Sequence, residues 1–158
     1  MLLKNMMDEK HKNVISAKPS MTTREAVELL VSNNIGCLPV LDEDESLIGI
    51  LSERDIMTKV NEAINQLPSL TVENIMTKKP ICGSPDDSLT TIAEIMEKNS
   101  IRHLPIVRDD KVIGLVSLWE IYRTRMINME QENRTLSHML DGRDKSGDYD
   151  TVRRDSDG

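Results

Sequence analysis

The chain holds a copy of its own middle. Residues 15–40 align without a gap on residues 81–106, at an offset of 66. Ile15, Pro19, Glu28, Asn33, Ile35, Leu38 and Pro39 fall on Ile81, Pro85, Glu94, Asn99, Ile101, Leu104 and Pro105, which is seven identities in 26 positions. One residue is then lost, and Ile48, Gly49, Ser52 and Ile56 fall on Ile113, Gly114, Ser117 and Ile121. A duplication of this length fixes the architecture before any propensity is weighed, because each half must be one supersecondary unit.

Both halves read alike. A short extended stretch (14–17 and 81–83) leads to a proline. A helix follows, opened in the first half by the capping box Thr22-Thr23-Arg24-Glu25 and carrying Ala26, Val27, Leu29, Leu30 and Val31 at helical spacing. The second helix runs over about 88–98, with Leu89, Ile92, Ala93, Ile95 and Met96 inward. Two strands joined by a charged turn come next, 37–41 with 47–51 and 104–107 with 112–116. Ser52 and Ser117 then stand as N-caps of a further helix. The unit is β-α-β-β-α, twice. A single unit of this size has a small core and is marginal alone, so the two are expected to bury their sheets against each other. The expected fold is α+β: a pseudo-twofold disc of two repeats with clefts between them and a C-terminal helix extension. The boundaries are an N-terminal arm at 1–12, repeats at 13–60 and 75–125 with a linker at 61–74, a helix extension at 126–140 and a flexible tail at 141–158.

Composition excludes several functions. The net charge is −7 and the aromatic residues are Trp119, Tyr122 and Tyr149, so neither phosphate neutralisation nor base stacking supports nucleic-acid binding. No apolar run is long enough for a membrane span, and the N-terminus is too short and polar for a secretory signal. Cys37 and Cys82 read as reduced thiols of a cytoplasmic protein. His11, His103 and His138 are scattered, and no G-x-S-x-G elbow or P-loop is present, so no catalytic residue is named. Cys37 and His103 hold equivalent places in the repeats, but two ligands are too few for structural zinc. The acidic turn 42–45 lacks the glycine and ligand spacing of a calcium loop.

The doubled I-x-x-L-P-[VI] and G-[IL]-[LV]-S segments, with Gly49-Ile50-Leu51-Ser52-Glu53-Arg54-Asp55-Ile56, resemble the tandem CBS (cystathionine β-synthase-type) domain pair, or Bateman module, over residues 13–125. The resemblance implies a non-catalytic regulatory module that takes an adenosine-containing ligand of the AMP, ADP or ATP class in an inter-repeat cleft and signals by a change in repeat arrangement. It requires no cofactor and implies an unidentified regulated protein and a homodimer. An S-adenosylmethionine sensor and a constitutive scaffold with empty clefts are the alternatives. Carried onto this chain, the first site comprises Ser52, Arg54 and Asp55 for phosphate and ribose. Ile15, Ala17, Cys37 and Pro39 supply the adenine slot, and Arg102 and His103 add positive charge. Asp55 is placed to accept from vicinal ribose hydroxyls, as an acidic residue does in dinucleotide sites. The second site is weaker: Ile81, Gly83, Pro105 and Ser117, with Glu120 where the first has Asp55 and Trp119 where it has Arg54.

Past the second repeat, Trp119, Tyr122, Met126, Met129, Asn133, Leu136 and Leu140 alternate at spacings of three and four. That is a heptad seam with Asn133 at an a-type position, and it suits either a self-pairing helix or an amphipathic helix packed on its own disc.

Overall fold

The structure is a computed structural model and describes residues 1–144. It opens with two short helices, α1 (Leu3–Met6) and α2 (Glu9–Lys12). The first repeat contributes α3 (Thr23–Asn33), β1 (Cys37–Leu41), β2 (Leu47–Ser52) and α4 (Glu53–Ala63). A 3-10 turn at Leu67–Ser69, α5 (Val72–Ile75) and the short β3 (Thr77–Lys78) connect the halves. The second repeat contributes α6 (Leu89–Lys98), β4 (His103–Arg108) and β5 (Lys111–Ser117), and α7 (Leu118–Asp144) ends the described chain. Contacts separate one unit, residues 1–121, from a second that begins at Tyr122.

The duplication is visible bond by bond in the first unit. Ala17 donates to the Pro39 carbonyl at 2.9 Å and Gly83 to the Pro105 carbonyl at 2.9 Å. Each leading stretch thereby forms a parallel bridge on the outer edge of its hairpin, to Val40 and to Ile106. Both hairpins carry an irregularity at the same place, between Val40 and Leu41 and between Ile106 and Val107. Asn34 and Ser100, one residue past each helix or its cap, take left-handed backbone at φ 52° and 54°. The capping box expected at Thr22 is formed: the Glu25 carboxylate accepts from the Thr22 amide at 2.8 Å while the Glu25 amide donates back to the Thr22 hydroxyl.

Each half borrows its first turn from the segment ahead of it. Thr23 donates its amide to the Leu70 carbonyl and Leu89 donates to that of Met1. Val72 donates to Met21, and Leu3 to Asp87. Residues 1–7 thus complete the second repeat, and residues 70–76 complete the first. The exchange is driven by burial: Leu3 and Val72 are both fully buried. Val72 and Ile75 join Ala26, Leu30, Leu38, Val40 and Leu51 in the first core. In the second, Ile92, Leu104 and Ile106 close around Gly83.

The two sheets are not equal. β2 pairs with β1 and also with β3, whereas among the described residues β5 pairs with one strand, β4, and adds an isolated bridge from Lys111 to Ser46. Residues 8–13 run where a counterpart of β3 would lie, and they coil into α2 instead, capped by Asp8. Helix α7 runs to Asp144, so residues 141–144 are helical where a tail was expected. The remainder of that tail lies outside the described residues. No helix among the described residues is long and apolar enough to cross a membrane.

Candidate functional site

Ser52 ends β2 and caps α4, which places four functional groups within one turn. The Asp55 carboxylate folds back onto the cap: its Oδ2 accepts from the Ser52 amide at 2.8 Å and from the Ser52 hydroxyl at 3.0 Å. Its Oδ1 accepts from the Thr77 hydroxyl at 3.0 Å, which ties α4 to the connecting segment. Arg54 reaches the other way and donates to the Ser100 carbonyl of the second repeat at 3.3 Å.

These residues form one wall of a cavity of about 450 Å³ between the repeats. The first repeat supplies Gly36, Cys37, Ile50, Ser52, Glu53, Arg54 and Asp55. The connecting segment supplies Thr77, Lys79, Pro80 and Ile81, and the second repeat supplies residues 99–103. Apolar surface comes from Ile50, Pro80, Ile81 and Ile101. Three cations, Arg54, Lys79 and Arg102, face two carboxylates, Glu53 and Asp55. Lys79 holds left-handed backbone at φ 52°, a conformation costly for a side-chain-bearing residue and concentrated at functional sites.

Two titratable groups that line the cavity, Cys37 and His103, are shifted by burial. Burial pushes the Cys37 thiol up to about 12, and the Glu53 charge adds to the shift. At neutral pH burial therefore favours the protonated thiol over the thiolate. Burial also lowers the pKa of His103 below its ordinary value; Glu53 and Glu120 pull it back up, and Arg102 adds to the depression. Cys37 and His103 do line one cavity, but no cluster of three or more metal-ligating side chains occurs among the described residues.

Six of the nine residues expected at the first site line this cavity: Cys37, Ser52, Arg54, Asp55, Arg102 and His103. Ile15, Ala17 and Pro39 do not. Ala17 is buried beside Pro39 on the outer edge of β1, and Ile15 packs on the first core. The cavity lies instead at the end of the hairpin where Cys37 faces Ser52. Its leading stretch comes from the other repeat, which places Ile81, expected at the second site, in the first. Thr77, Lys79 and Pro80 were not anticipated. Their signal was present in the sequence: Asn5 and Met7 fall on Asn74 and Met76 at one common offset, a further block of the duplication.

The second cleft is filled by the chain itself. Ser117 and Glu120 repeat the cap, with the Glu120 Oε2 accepting from the Ser117 amide at 2.9 Å and its hydroxyl at 2.7 Å. The other oxygen, Oε1, lies 3.6 Å from both the Lys10 Nζ and the His11 Nε2. Burial acts to raise the Glu120 pKa, but the Ser117 bonds, His11 and Lys10 outweigh it and hold the carboxyl below its ordinary range. His11 is anchored by Asp8 at 2.6 Å. Met7 and the His11 carbonyl press on Gly114, as Met76 and the Thr77 carbonyl press on Gly49; a methyl group at either glycine would collide with the methionine. The longer segment before Ile15 makes the difference, because α2 sits where the first cleft has only Thr77 and Lys78. Pro105 lies in the second hairpin and Gly83 in the stretch bridged to its outer edge, and Trp119 is largely exposed.

Comparison with known proteins agrees with this geometry. The family model described as the CBS domain matches residues 4–62 and 72–126. The CBS domain-containing protein YhcV of Bacillus subtilis is 30% identical over 128 residues, covering 80% of this chain and 89% of that protein. The crystal structure of the CBS domain pair of protein MJ0100, in complex with methylthioadenosine and S-adenosyl-L-methionine, is similar at 30% identity and a TM-score of 0.69, covering 81% of this chain and 98% of that one. That of CBSX2 in complex with AMP is similar at 26% identity and a TM-score of 0.68, with the same coverage of 81% and 98%. The chain spans less than half the length of some curated relatives it matches, 46% of one and 22% of another. With two matched repeats spanning most of its length, the chain belongs to the CBS domain family as a tandem pair.

Proposed function

We propose that this chain is a non-catalytic regulatory module of the cytoplasm that takes an adenosine phosphate in the cavity between its repeats and passes the event to a partner protein through their relative arrangement. The observation that carries this reading is the position of Asp55 on the wall of a cavity that also presents Arg54, Lys79 and Arg102. A volume of about 450 Å³ is in the range of small-ligand sites. The apolar residues suit a base, the carboxylate suits vicinal hydroxyls, and the amide end of α4 with the three cations suits a phosphate. The same cations disfavour S-adenosylmethionine, whose sulfonium adds a positive charge to its zwitterion.

One observation favours the scaffold alternative: Asp55 is already engaged. A carboxylate offers about four acceptor positions, and Ser52 and Thr77 occupy three. A ribose diol needs one more than remains, which the Thr77 hydroxyl frees by turning away. Calorimetric titration with adenosine, AMP, ATP and S-adenosylmethionine separates the readings. Asp55→Asn is expected to weaken every adenosine ligand by about tenfold or more, roughly the value of a charged hydrogen bond, with the circular dichroism spectrum unchanged. Lys79→Ala is expected to weaken AMP and ATP but leave adenosine alone. Absence of binding to all four ligands would leave the scaffold.

A further inference from the structure

The second unit carries a surface that the ligand site does not use. Helix α7 is unbroken over 27 residues, about 40 Å at 1.5 Å per residue. Along it Met126, Met129, Leu136 and Leu140 follow the three-and-four alternation and are 58–64% exposed. Asn133 stands in the middle of the same stripe, and Arg125 and Glu130 flank it. We propose that α7 pairs with α7 of a second copy of this chain, as a parallel, in-register, two-stranded coiled coil over residues 122–140.

Three features select that occupant. The stripe keeps a 3.5-residue period, which only another helix wound around it can cover along its length. Asn133 holds an a-type position, where its amide finds a hydrogen-bonding partner in Asn133 of a parallel, in-register copy; antiparallel pairing or an apolar partner would leave a buried amide unmet. Arg125 and Glu130 stand at g and e positions, so a parallel copy sets each arginine against the glutamate of the other helix. The stripe is complementary to itself in apolar, polar and charged positions together.

Sedimentation equilibrium of the full chain tests this, with variants that read helix pairing rather than folding. The wild type is expected to dimerise and Leu136→Glu to be monomeric with its circular dichroism spectrum unchanged. Arg125→Glu is expected to weaken the dimer by about threefold to tenfold, and adding Glu130→Arg to it should restore the wild-type value. In a Cys82→Ser background, Asn133→Cys is expected to form a disulfide-linked dimer on mild oxidation, while Gln131→Cys, on the outer face, does not. A chain that stays monomeric at all accessible concentrations overturns the proposal. So does a dimer indifferent to Leu136→Glu, or cross-linking that is equal at positions 131 and 133. None of these results depends on whether the cavity binds a nucleotide.

Discussion

At the scale of the residue, one geometry appears twice with different endings. Ser52 with Asp55 and Ser117 with Glu120 are both capping boxes, and each ties the carboxylate to the end of its own strand. In the first the remaining oxygen meets the neutral hydroxyl of Thr77; in the second it meets His11 and Lys10. His103 shows what such surroundings do to a titration. Its folded pKa lies below 6.5, chiefly through burial, so on acidification the unfolded chain takes the proton first. The stability this contributes is complete above the unfolded value and is lost as pH falls from there through the lowered one. The melting temperature of the wild type is therefore expected to decline below about pH 6.5 and that of His103→Asn to decline less. Equal slopes would show that Glu53 and Glu120 fully offset burial and the Arg102 charge at the ring.

At the scale of the element, the segments ahead of each repeat are structural members. Leu3 is the third residue of the chain described and yet is fully buried. Leu3→Ala is accordingly expected to cost about 2–5 kcal/mol, as a truncation deep in a core does. Val72→Ala, its counterpart, should also be destabilising. Urea denaturation measures both, and a Leu3→Ala cost below about 1 kcal/mol, the size of a surface change, would mean that α1 does not hold the second repeat. The same segments set the two clefts apart. β3 passes beside the first cap and leaves room, whereas α2 lies over the second and fills it.

At the scale of the whole molecule, the cavity is built from both repeats and from the segment joining them, so a ligand there holds the two halves together. AMP at about one hundred times its dissociation constant should stabilise the fold by about 2.7 kcal/mol. The unfolding transition should stay single, and the titration should saturate at one ligand per chain, because α2 occupies the other cleft. Two equivalents per chain would mean that α2 leaves its place readily. A ligand shifts the arrangement of the repeats only by its difference in affinity for the two arrangements. Arg54, which already reaches from the first repeat to the Ser100 carbonyl of the second, is placed to sense such a difference.

The amino-acid order alone determined the duplication, both caps, the hairpins, the helix that follows them and the carboxylate at Asp55. These are local: they rest on periodicity, on turn chemistry and on groups three residues apart. Which leading stretch serves which cleft was decided only in three dimensions. Ile15, Ala17 and Pro39 read as cleft residues because they stand next to the right strand in the sequence, but the chain crosses between repeats, and Ile81 and Lys79 arrive there instead. The closure of the second cleft was also hidden. It depends on a few extra residues before Ile15 coiling into a helix, and on the burial of Leu3, which carries that helix to Glu120. Pairing between distant segments is governed by the apolar surface they bury together, and no short window of sequence contains both sides of it.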